Sequence, residues 1–214
     1  MEPAATRLAA TLASVDAANA DDPRRCLADG RELAFEQLYA ERMTARLLAV
    51  YPEASELLQI AARAQHLRRW EIPRDAYPPG RRGYDDWRKA CRVHHADHVA
   101  TIMRAQGYRE DEADHVGALI RKEQLKKDKE SQALENVAAT VFLEHYFEPF
   151  LEKYAGYDEG KLIDILGKTL CKMSPRGHAA ALALNLPPRH LELVKRAIDK
   201  EAKALERLAQ VAVD

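Results

Sequence analysis

Apolar residues recur three and four positions apart along nearly the whole chain, the repeat that gathers side chains on one face of an α-helix. Alternating runs of β-branched residues, the mark of half-buried strands, do not occur. The spacing predicts a first helix from about Pro3 to Ala18, carrying Leu8, Leu12 and Val15, and a connection through "NADDP" and "ADG". A second helix is expected over about Glu32–Val50, stopped by Pro52, and a third from near Pro52–Ser55 to about Arg69. A fourth runs from about Tyr84 to Gln106, where Gly107 supplies the C-cap, and a fifth from about Asp111 to Lys122. The sixth, about Asp128–Tyr154, is the most apolar, with Leu134, Val137, Ala138, Val141 and Phe142 in one stripe; Pro149 should kink it or end it early. A seventh spans about Asp158–Lys172. In "SPRG" a serine N-cap precedes a proline at the first helical position and opens an eighth, to Leu184, before a final charged helix over about 189–211. The expected fold class is therefore all-α, one multi-helix globular domain over residues 1–214, with a core at about 15–184 and the charged helix at 187–212.

Composition narrows the function classes. Nearly half of the residues are hydrophobic and only nine are glycine, as in a folded, helix-rich chain. A formal net charge of −1 gives no long-range attraction to nucleic acid or anionic membrane, so any phosphate-binding surface must be local. Cys26, Cys91 and Cys171 are odd in number and far apart, which suits reduced thiols. The N-terminus has no signal-peptide pattern, and no stretch approaches the roughly 20 apolar residues that span a bilayer. A cytoplasmic protein with no membrane partner is expected.

Candidate chemistry falls in three places. His66 ends the third helix, just before "RRWEIPRDAYPPGR"; a helix-terminal histidine is commonly a cap. In "VHHADH" the i, i+4 pair His94 and His98 shares a face that can bind Zn²⁺, while His95 points elsewhere. Glu135 and Asn136 open the most apolar helix, and His145 lies along its stripe as a packing residue. Between them, Arg68, Arg69, Arg74, Arg81, Arg82 and Arg88 crowd a proline-stiffened segment with Trp70, Tyr77, Tyr84 and Trp87. Guanidinium groups present a fork of donors suited to phosphate and stack on aromatic rings, so this segment reads as a rigid cationic rim. Trp87 fits equally well as a core plug, given its helical spacing to Cys91 and His94.

Two resemblances bear on these residues. The stretches "DAANADDP", "LYAERMTARL", "AARAQHLRRWEIPRDAYPPGRRGYDDWR", "FLEHYFEPF" and "KLIDILGKTLCKMSPRGHAAAL" resemble a family of helical proteins described only as a domain of unknown function, DUF4202. More distantly, "AARAQHL" and "HVGALIRKEQLKKDKESQALENVAATVFL" resemble the HD superfamily of all-helical, metal-dependent phosphohydrolases. That second resemblance implies His66 in the place of the paired His, Glu135 in that of the final Asp, and Glu41 where an early His would stand, with His95 adding a ligand. His94 or His98 could stand in for His95. Leu67 stands where the superfamily's Asp would be.

The resemblance thus implies Glu41, His66, His95 and Glu135 as a divalent-metal set suited to Mn²⁺, Fe²⁺ or Zn²⁺. Glu41, His66 and Glu135 would be catalytic, and Arg69, Arg74, Arg82 and Lys122 would bind the phosphoryl group of a small phosphorylated or nucleotide-like substrate. The alternative is a non-catalytic RNA- or nucleotide-binding protein on a degenerate HD-like scaffold.

Overall fold

The computed structural model describes residues 6–28 and 30–213, and it is all-α apart from one two-stranded hairpin. The chain divides into two compact units, residues 1–123 and 124–214.

In the first unit, α1 (Arg7–Ala20) is followed by β1 (Arg25–Ala28), β2 (Arg31–Ala34), α2 (Phe35–Val50), α3 (Glu56–Arg63), α4 (Gly80–Ala105) and α5 (Glu110–Arg121). Side chains of Thr6 and Ser55 cap α1 and α3 by accepting from the N–H groups of Ala9 and Leu58. Gly107, at φ +80°, ends α4 as its sequence position predicts. The start expected at Pro3 lies outside the described residues.

The hairpin corrects the expectation of a strand-free chain: Glu32 and Leu33, assigned above to the second helix, pair with Leu27 and Cys26 in β1 and β2. Asp-Gly at 29–30 is a hairpin-favouring pair that outweighs the helical spacing around it, and Gly30 takes φ +71°. The chain then turns directly into α2, because Asp22 accepts the N–H of Glu36 and the Arg24 carbonyl accepts that of Phe35.

The third helix is shorter than expected. It stops at Arg63, and residues 64–68 continue as turns ending at Arg68, which is left-handed at φ 54° and gives its N–H to Asn19 Oδ1. Arg63 reaches back to grip Asp16 through two bonds of 2.6 and 2.7 Å, tying α3 to α1.

The second unit holds α6 (Lys129–Val141), α7 (Phe147–Lys153), α8 (Glu159–Leu170), α9 (Pro175–Leu182) and α10 (Pro188–Ala209). The long sixth helix is interrupted by a π-helical turn at Phe142–Tyr146, and Pro149 falls in the first turn of α7. Proline lacks an N–H and its ring crowds the carbonyl four residues back, so the chain restarts just ahead of it. Leu143, Phe147, Leu166, Leu170, Leu193 and Val194 form the core of this unit. Ser174 caps α9 with Pro175 at its first position, as expected. Within that unit Asn136 is buried; its Oδ1 accepts from Ser174 N (3.0 Å) and Gln132 (3.1 Å), and its Nδ2 donates to Ser174 Oγ (2.8 Å). No helix among the described residues is long and apolar enough to cross a membrane.

Candidate metal centre

Two of the predicted ligands meet in the first unit. His66 follows α3 through the turns and His95 lies on α4, with ring centroids 5.9 Å apart. Each ring is anchored at the same atom. His66 Nδ1 is 3.2 Å from the Glu36 carboxylate, and Tyr39, one helical turn along α2, stacks on the ring at 3.9 Å. His95 Nδ1 is 2.7 Å from the main-chain carbonyl of Leu67.

These acceptors fix the tautomers. The Leu67 carbonyl can only accept, so Nδ1 of His95 carries the proton and its Nε2 keeps the lone pair; an ionised Glu36 imposes the same tautomer on His66. For His95 that Nε2 is buried and has no hydrogen-bond partner. Leaving such an atom unsatisfied costs roughly 1–3 kcal/mol. Histidines that ligate metals have this arrangement, one ring nitrogen tethered to a carboxylate or carbonyl and the other presented.

The electrostatics keep both rings neutral. Burial, reinforced by the charges of Arg69, Lys122, Arg88 and Arg24, holds His66 well below the usual histidine range. Burial, then His66 and Arg69, does the same to His95 against the opposing pull of the Leu67 carbonyl. Neutral imidazole is the form that binds a metal ion.

Behind His66 stands a second layer. Glu36 is 1% exposed; its other oxygen accepts from Arg24 at 2.7 Å, and Arg24 also grips Asp22. Burial raises the Glu36 pKa, which Arg24 and Arg69 restrain. At Asp22 burial pushes upward too, but the hydrogen bonds from Arg24 and from the Glu36 N–H outweigh it and the net shift is down.

The other predicted residues are placed as follows. Glu41 faces Arg31 at 3.3 Å on the outer part of α2. Among the described residues of the first unit, Glu41, His66 and His95 do not form a group whose donor atoms all lie within 4.8 Å of one another. Glu135 is buried on α6 in the second unit. Arg69 and Lys122 are the two charges that act most on His66, and Arg69 also lies 4.5 Å over the Trp87 ring. Arg74 donates to the carbonyls of Tyr77 and Pro78, stapling the proline segment, while Arg82 is exposed in the first turn of α4. Trp87 gives its indole N–H to the Ile72 carbonyl at 2.8 Å. Of the three α4 histidines it is His95 that neighbours His66; His94 and His98 pack on each other at 4.4 Å and approach Glu71.

Sequence reasoning missed Glu36, Asp22 and Arg24. Their charges fall in and after the first connection, and nothing in the spacing says that a carboxylate one turn into an amphipathic helix will be buried. Leu67 has an unforeseen part: its side chain is fully buried while its carbonyl orients His95.

A family profile described as "Domain of unknown function (DUF4202)" matches residues 9–194. No curated protein and no solved structure matches the chain.

Proposed function

The chain belongs to the DUF4202 family, and from that premise we propose that it is an HD-like, metal-dependent hydrolase of small phosphorylated or nucleotide-like compounds. The observation that carries this reading is the partnerless, buried Nε2 of His95 beside His66, both rings tethered at Nδ1. His66 and His95 would hold a divalent ion; the ion would supply a water of lowered pKa and polarise a phosphoryl oxygen. Glu36 fixes the His66 tautomer and holds the ring between its carboxylate and Tyr39. Arg69 and Lys122 would receive the negative charge that grows on the phosphoryl oxygens. A cytoplasmic setting accords with the three free thiols.

The test is turnover of a panel of nucleotides and phosphomonoesters with added Mn²⁺, Fe²⁺ or Zn²⁺. Activity that His66→Ala and His95→Ala abolish supports the reading; no turnover, or turnover indifferent to both substitutions, refutes it. The non-catalytic nucleotide- or RNA-binding alternative draws on the exposed Tyr84 ring, with Arg88 and Arg74 at 5.8 and 6.0 Å. It predicts ligand binding that survives His66→Ala and weakens steeply with salt.

A further inference from the structure

Beyond the His66–His95 pair, α4 carries a second set of donors. Among the described residues, Glu71, His94 and His98 each offer one ligand atom, and these atoms all lie within 4.8 Å of one another. His94 and His98 share a helix face because they are four residues apart. Glu71 comes from outside that helix, at the end of the short 3-10 turn Arg69–Glu71. We propose that Glu71, His94 and His98 form a Zn²⁺-type site that pins the Arg69–Glu71 turn to α4.

Three observations support it. First, the distances suit a shared ion. His94 Nε2 and His98 Nε2 lie 3.1 and 3.8 Å from the same carboxylate oxygen, Glu71 Oε2. Donors about 2.0–2.1 Å from a tetrahedral zinc are separated by roughly 3.4 Å, which falls between these values.

Second, His94 Nε2 is buried and makes no hydrogen bond, although that oxygen is only 3.1 Å away. The two atoms are close but not aligned for a hydrogen bond, as expected of two donors directed at a common third point. Third, Glu71 is prepared for the role. Arg68 Nε binds its other oxygen at 2.7 Å, leaving Oε2 to the histidines.

Two imidazoles and one carboxylate are a recognised zinc donor set that leaves a fourth position for water. His94 also borders a shallow surface groove of about 470 Å³ lined by Asp86, Lys89, Ala90, Val93 and Asp97. Glu71 lies two residues beyond Arg69, so occupancy would steady the segment that carries Arg69 beside His66 and Trp87.

The test titrates Zn²⁺, and Co²⁺ as a spectroscopic probe, into the full chain stripped with chelator. Wild type should bind an equivalent whose Co²⁺ form shows the intense visible bands of a four-coordinate ion. Glu71→Gln and His98→Ala should each weaken that equivalent by at least about 100-fold, more than the loss of an outer-shell partner does. His66→Ala should leave it in place. Glu71→Gln is the conservative variant should His98→Ala fail to fold, and circular dichroism verifies helix content. Absence of Zn²⁺ binding by wild type, or affinity unchanged in both variants, overturns the proposal. Binding lost only in His66→Ala or His95→Ala also overturns it, while leaving the hydrolase reading standing; the reverse pattern would do the opposite.

Discussion

Replacing Glu36 by Gln changes one atom pair and tests the logic of the centre. The carboxylate accepts from Arg24 at 2.7 Å through one oxygen and from His66 Nδ1 at 3.2 Å through the other. Glutamine has a single acceptor. The shorter contact, to the permanently charged Arg24, will keep it, and the new NH₂ group must then face His66 Nδ1. Two N–H donors cannot share that contact, so the ring should move its proton to Nε2 and accept at Nδ1.

The neutral state of His66 makes this a tautomer change and not a change of charge. One charge-assisted hydrogen bond is lost, worth roughly 1.5–3 kcal/mol of stability, in part recovered by the new neutral bond. Metal affinity should fall about 10–100-fold, because Nε2 no longer offers a lone pair. Long-range ¹H–¹⁵N correlation of the imidazoles reads the tautomer, urea unfolding the stability and metal titration the affinity. If His66 in Glu36→Gln keeps its proton on Nδ1, or if metal affinity is unchanged, the reasoning fails.

Other substitutions probe separate parts of the structure. Leu67→Asp should not create a ligand: position 67 is fully buried, and an unpaired carboxylate there should cost at least about 3 kcal/mol in urea unfolding. Gly177→Ala should destabilise by about 1–3 kcal/mol despite alanine's better helix propensity, because its Cβ would run into the Asn136 carboxamide, which three hydrogen bonds hold in place; thermal unfolding measures this.

Tyr108 is 5% exposed, and burial together with its hydrogen bond to Glu56 raises its pKa to about 12. From about pH 10 upward the unfolded chain gives up a proton that the folded chain retains, so stability should fall with rising pH by about 1.4 kcal/mol per unit until the folded phenol ionises. Tyr108→Phe should flatten that alkaline slope, and an unchanged slope would assign it to other groups.

Most of the helices can be read from the sequence because their determinants are local. Caps at Ser55, Asp158 and Ser174, the stop at Gly107 and the three-four apolar spacing lie within a few residues of what they control. The failures share a cause. In α1 the buried positions are Thr11, Val15 and Asn19, not the Leu8–Leu12–Val15 stripe, because Asn19 turns inward to receive the Arg68 N–H. The hairpin displaces the predicted start of α2.

The site divides the same way. From the sequence come the identities of His66, His95, Arg69 and Lys122, the i, i+4 relation of His94 and His98, and the place of the family's motifs along the chain. Tertiary structure alone decides that Glu36 and not Glu41 meets His66, that a buried leucine contributes its carbonyl, and that Glu71 approaches the α4 histidines. Periodicity records which side of a helix avoids water. It does not record which polar atoms, 28 or 30 residues apart in sequence, are desolvated together, and that shared desolvation fixes their tautomers and charges.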